Sequence, residues 1–120
     1  MKLLTKDIRE QLLANGRANR DENGWPLEEA IDHKPVVKLF TPDAGCTWLL
    51  TELDPEEPDI AFGLCDLGMG CPELGTVSVS ELESMRGRLG LPIERDLSFE
   101  ADKTLSAYAE EASKHGAIRA

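Results

Sequence analysis

Four β-rich runs, Val36–Thr41, Cys46–Leu53, Ile60–Leu67 and Gly75–Ser80, follow one another with very short separators. Those separators are Pro42-Asp43-Ala44-Gly45, Asp54–Asp59 and Gly68–Leu74, four to seven residues each. A parallel crossover needs a dozen or more residues, so neighbouring runs can pair only antiparallel. The spacing predicts a meander sheet over residues 36–80. In the second run Trp48, Leu50 and Glu52 alternate with Thr47, Leu49, Thr51 and Leu53. Both faces then carry apolar side chains, so a helix or loop is expected to cover the side that a simple meander would leave to water.

The flanks supply the helices. Thr5 is an expected N-cap, with Asp7 in the first turn where the helix dipole favours an anion. Leu4, Ile8 and Leu12 recur every four residues and Asn15-Gly16 reads as a stop, giving a helix over 5–15. Residues 16–35 read as a loop, with one helical turn near Leu27–Ile31. Ser80-Glu81-Leu82-Glu83 matches a capping box, followed by about two helical turns with Leu82 and Met85 inward and Gly87 as the stop. Gly90–Ile93 reads as a connection and Leu97–Phe99 as a short edge strand. Leu105, Tyr108, Ala109 and Ala112 form a helical stripe, with fraying expected after Ser113.

The expected fold class is α+β: a four-stranded antiparallel meander packed by N-terminal, middle and C-terminal helices. A length of 120 residues fits one domain with its own core. Aromatic residues are few, so that core must rest mainly on Leu, Val and Ile. Trp48, Leu50, Phe62, Leu64, Val77, Val79, Leu82 and Met85 are its expected members. No window approaches the ~20 apolar residues of a membrane span, and the N-terminus lacks the apolar run of a signal peptide. Three cysteines, Cys46, Cys65 and Cys71, are an odd count that fits reduced thiols rather than a disulfide framework. A cytoplasmic monomer is the expectation.

The charge is distributed unevenly. Between Leu39 and Met85 stand ten acidic residues and no lysine or arginine, out of 23 acidic and 13 basic residues in the chain. The formal net charge of -10 therefore belongs to that one segment, and the flanks balance. Such a field attracts basic partners and repels a nucleic-acid backbone. Glu52, Asp54, Glu56, Glu57, Asp59, Asp66 and Glu73 are accordingly the candidate binding residues, forming an acidic surface for a basic protein. One variant of this reading is mimicry of DNA, with carboxylates standing in for phosphates and blocking a nucleic-acid-binding protein. The competing class is an acid-dependent enzyme or a metal-binding protein built on meander carboxylates such as Glu52, Asp66 and Glu73.

No catalytic constellation emerges. His33 and His115 are the only histidines, and neither follows a nucleophile in a recognisable elbow. Gly68-Met69-Gly70 lacks the Gly-Lys-Ser/Thr of a phosphate loop and reads as a turn. Asp54-Pro55-Glu56-Glu57-Pro58-Asp59 lacks the ligand ladder of a calcium loop and reads as a solvated hairpin turn. Cys65 and Cys71, with Cys46 and His33, are zinc-ligand types at the wrong spacing for a structural knuckle, so packing is the expected role of the first two cysteines. No cofactor and no metal are expected. Arg86 is expected to complement a helix C-terminus, and Arg95 to pair with one of the acids.

Several phrases together resemble one family. They are Met1-Lys2-Leu3-Leu4-Thr5, Phe40-Thr41-Pro42-Asp43, Thr47-Trp48, Thr51-Glu52, Phe62-Gly63-Leu64, Glu73-Leu74-Gly75, Ser80-Glu81-Leu82-Glu83 and Leu91-Pro92-Ile93-Glu94-Arg95-Asp96. The set is similar to a family of small uncharacterised bacterial proteins, classed as a domain of unknown function and often carried on plasmids or mobile elements. The resemblance implies a soluble domain with no assigned activity and no established catalytic residues to carry over.

Overall fold

In the computed structural model, which describes residues 2–120, the meander is present and extended by one strand. Strands β1 (Val37–Phe40), β2 (Thr47–Leu53), β3 (Ile60–Asp66) and β4 (Glu73–Ser78) pair antiparallel in sequence order. A fifth strand, β5 (Glu94–Arg95), pairs antiparallel with β1, so the sheet order is β4-β3-β2-β1-β5. The sheet thus has five strands rather than four. The extra one comes from Glu94–Arg95, while Leu97–Phe99 is not a strand. A two-residue strand carries no period to read, and only its register against Leu39 and Phe40 identifies it.

Helices α1 (Lys6–Ala18), α2 (Val79–Ser84) and α3 (Leu105–His115) cover the sheet. Thr5 caps α1, its side chain accepting from the Ile8 amide. The helix runs three residues past the expected stop because Asn15 and Gly16 are buried packing residues rather than a terminus. Asn15 donates through Nδ2 to the Thr51 carbonyl at 2.9 Å. Gly16 lies so close to β2 that a Cβ built there would stand 2.0 Å from the Leu53 carbonyl oxygen. Glycine here permits close approach of helix and strand and does not end the helix.

Two cores result, one on each face. Leu12, Leu3 and Leu4 join Trp48, Leu50, Leu53, Val79 and Leu82 on the α1/α2 face. Leu49 and Leu64 pack against Leu105, Tyr108 and Ala112 of α3 on the other. The covered second face is the one that the apolar alternation of β2 demands. A β-bulge complicates that alternation: the β2–β3 register shifts between Leu50 and Glu52. The inserted residue flips everything after it. Leu53 therefore joins the Trp48 face and Glu52 leaves it, the reverse of uninterrupted alternation. Gly63, opposite Leu50, admits the bulge, since a Cβ there would lie 2.0 Å from the Leu49 carbonyl oxygen.

Other corrections are local. The cap of α2 is Ser78, whose hydroxyl accepts from the Glu81 amide, two residues before the expected Ser80. Glu83 does not close a capping box; its carboxylate accepts from the Leu3 amide at 3.0 Å and anchors the N-terminal segment. The helix ends at Ser84, ahead of Gly87, and Met85 is 40% exposed instead of buried. Phe62 and Val77 are half-buried at the edges of the two cores. No helical turn forms near Leu27–Ile31. Arg86 does donate to the carbonyls of Glu83 and Met85, as a helix C-terminus invites. Arg95 donates to the Leu3 carbonyl instead of meeting an acid. No helix among the described residues is long and apolar enough to cross a membrane.

Candidate functional site

The meander distributes the seven candidate carboxylates over both ends of the sheet. Glu52 and Asp54 lie at the C-terminal end of β2, and Glu56, Glu57 and Asp59 lie in the turn that follows. Asp66 and Glu73 lie at the opposite end, where Cys65 pairs with Glu73. Strands of seven residues separate the two groups by roughly 20 Å. They do not form one patch.

Four of the seven are engaged in holding the fold. Asn19 donates to the Glu52 carboxylate at 2.7 Å and also bonds the Ile31 backbone, so Glu52 helps tie the 27–33 loop to the sheet. Asp54 accepts from the amides of Glu56 and Glu57 and pairs with Arg20 at 3.5 Å. Asp59 accepts from the hydroxyls of Ser78 and Ser80 and from the Ser80 amide, at 2.6, 2.8 and 2.9 Å. The Ser78 hydroxyl, then that of Ser80, holds its carboxyl below the usual carboxylate range. Asp66 is buried and accepts from the amides of Gly68 and Ile118, fixing the tail beyond α3. Glu56, Glu57 and Glu73 are exposed, and their side chains form no hydrogen bond or ion pair among the described residues.

Two hollows flank the bulge. One of about 240 Å³ is lined by Asn19, Ile31, His33, Glu52, Phe62 and Leu105 among others, and one of about 160 Å³ by Arg20, Glu52, Asp54 and Phe62. Neither includes Asp66 or Glu73, so these hollows do not assemble the acid pair that general acid/base chemistry would use. Cys46 and Cys65 are half-buried on the α1/α2 face, and burial raises the Cys65 thiol above its ordinary pKa. Cys71 is exposed. The described residues contain no group of three or more His, Cys, Asp or Glu arranged to hold a metal ion.

The charge separation itself survives folding. Strands β2, β3 and β4 and helix α2 all lie within the segment free of lysine and arginine, whereas Lys38 and Arg95 stand on β1 and β5. The sheet order therefore turns a sequence asymmetry into a lateral one, with β4 as the edge drawn from the segment free of lysine and arginine. Compensation reaches the 54–59 turn from α1 and the residues after it. Arg9 donates to the Pro58 carbonyl at 3.4 Å, and Arg17 and Arg20 line a hollow with Pro55 and Glu56.

A feature with no advance signal adjoins that edge. An open groove of about 420 Å³ runs beside β4 and α2, lined by Trp48, Leu67, Val77, Leu82 and Met85, with Glu81 its charged lining residue. Leu67 is 52% exposed. The alternation of β4 gave Val77 a core role, but α2 is too short to cover the strand fully. Met85 falls just past the end of α2 and is exposed with Leu67.

A protein-family model described as a protein of unknown function (DUF2958) matches residues 3–119. No curated protein and no solved structure matches the chain.

Proposed function

Because the chain belongs to this family of unknown function, DUF2958, we propose a reading from its surface: a non-enzymatic module that binds a basic protein partner. The observation that carries it is the lateral charge separation of the sheet, with an edge strand from the basic-free segment at one side. Opposed charge patches raise association rates and exclude like-charged partners, which suits a recognition surface. Glu81 lines the groove and Glu73 opens β4; both are exposed, and no internal bond among the described residues engages their side chains.

Mimicry of DNA draws less support. It would need a row of free carboxylates spaced like phosphates, and Glu52, Asp54, Asp59 and Asp66 accept internal hydrogen bonds instead.

Binding to polylysine, followed by fluorescence anisotropy across a salt series, tests the proposal. Affinity should fall steeply with salt and weaken when Glu73 and Glu81 are both changed to lysine. Binding that ignores both salt and this double substitution would refute the reading.

A further inference from the structure

We infer that the β4 edge with its groove binds an extended segment of a partner protein by strand addition, the segment carrying basic residues at its ends and apolar residues between. This inference rests on the reading of the protein as a binder of basic partners and specifies how the partner is held.

Backbone geometry supplies the first reason. Among the described residues β4 pairs with β3 alone, so alternate N–H and C=O groups along its outer side face away from the sheet. Its pairing with β3 runs from Ile60–Ser78 to Cys65–Glu73 without a register shift. The strand, Glu73-Leu74-Gly75-Thr76-Val77-Ser78, contains no lysine, proline or bulge. Those are the usual devices that stop a sheet edge from accepting another strand. The opposite edge, β5, is only two residues long and offers much less template.

The groove supplies the second. Val77 packs toward the α1/α2 core, so Glu73, Gly75 and Val77 share that face of β4. A Cβ built on Gly75 would meet nothing within 4 Å, which leaves the middle of this face open. Trp48, Leu67, Val77, Leu82 and Met85 line the adjoining groove. An added strand would direct alternate side chains into it, the arrangement by which strand addition gains specificity.

Charge selects the occupant. The groove's charged lining residue is Glu81, and Glu73 opens the strand at its other end. A second copy paired antiparallel would set Glu73 of each strand opposite Ser78 of the other and bring no cation to Glu73, because β4 contains none. A basic segment meets carboxylates at both ends and apolar surface between them. Six strand residues span about 20 Å, which a heptapeptide matches.

The peptide Lys-Thr-Val-Thr-Val-Thr-Lys, fluorescein-labelled, tests this by anisotropy against the full chain. Two further versions carry backbone N-methyl groups, one on odd and one on even positions. Strand addition requires that one methylated version weaken about tenfold or more while the other binds nearly as the parent does. Equal binding by all three at low salt would overturn strand addition and leave the basic-partner reading intact. Failure of all three peptides while polylysine still binds would do the same. Failure of polylysine as well would end both. A concentration-dependent dimer in sedimentation that excludes the parent peptide would also overturn the inference, since the edge would then belong to a second copy.

Discussion

Gly16 sets the distance between α1 and the sheet. Alanine is favoured over glycine by about 0.8–1.0 kcal/mol inside a helix. That gain is opposed here by a Cβ placed 2.0 Å from a backbone oxygen of β2, and overpacking of a tight contact costs about 1–3 kcal/mol. The obstacle is main chain held in a sheet, so it cannot rotate away. Gly16→Ala should therefore lose up to about 2 kcal/mol in urea denaturation, despite its better helix propensity. Stabilisation would show that the helix can shift freely. Asp59 makes a second residue-scale case, with a pH signature. Its folded-state pKa lies below the ordinary 3.8, chiefly through the Ser78 hydroxyl. A depressed carboxyl stabilises the fold above its unfolded pKa and loses that contribution as pH falls through the folded value. The melting-temperature gap between the native chain and Asp59→Asn should be open near neutral pH and should close below about pH 4. A gap of constant size down to about pH 2 would contradict the assignment.

At the scale of elements, α3 begins without help from its own cap. Thr104 holds the N-cap position, yet its side chain makes no capping bond. Asp32, brought from the long loop, accepts from the Ser106 amide at 3.1 Å and from the Ser106 hydroxyl. The hydroxyl bond holds the Asp32 carboxyl below its ordinary pKa. Loop and helix thus stabilise each other, with the Leu105 amide donating to the His33 carbonyl beside them. Asp32→Ala should cost about 1 kcal/mol, the usual loss for a capping residue. Amide exchange should rise first in the opening turn of α3. Uniform acceleration across the sheet, with α3 unchanged, would count against a local cap. The elements also differ in how much of them can be read from sequence. Strands β1 to β3 follow from apolar density and short separators. The start of α2 does not, because Ser78 and Ser80 offer nearly equivalent caps and tertiary contact with Asp59 engages both hydroxyls.

For the whole molecule, two apolar cores on one sheet replace any need for a metal staple. Leu39, Trp48, Leu49, Leu50, Leu53 and Leu64 are at most 1% exposed. Side chains of this size contribute about 1.5–3 kcal/mol each on full burial. Thermal melts with and without a chelator should therefore coincide, and a collapse of the melting temperature on metal removal would mean that ligands were mistaken for packing. The thiols give an independent check of the same packing. An aromatic disulfide reagent should label Cys71 quickly, with Cys46 and Cys65 slower because both are half-buried and burial keeps the Cys65 thiol protonated. Three equally fast thiols would show that the α1/α2 face opens readily.

Sequence alone determined the antiparallel meander, because separators of four to seven residues leave no other pairing. It determined that both faces would be covered, since Trp48, Leu49 and Leu50 are consecutive and apolar. It also located the excess charge on one segment. Only the tertiary structure decided which acids remain free, because Asp59 and Asp66 find their donors in residues distant along the chain. The bulge after Leu50 was equally invisible. An inserted residue keeps the composition of a strand while exchanging its faces, so Leu53 is buried with Trp48 and Glu52 turns to the opposite side. The edge position of β4 was decided the same way: its residues read as an ordinary strand, and only the sheet order leaves one side of it unpaired.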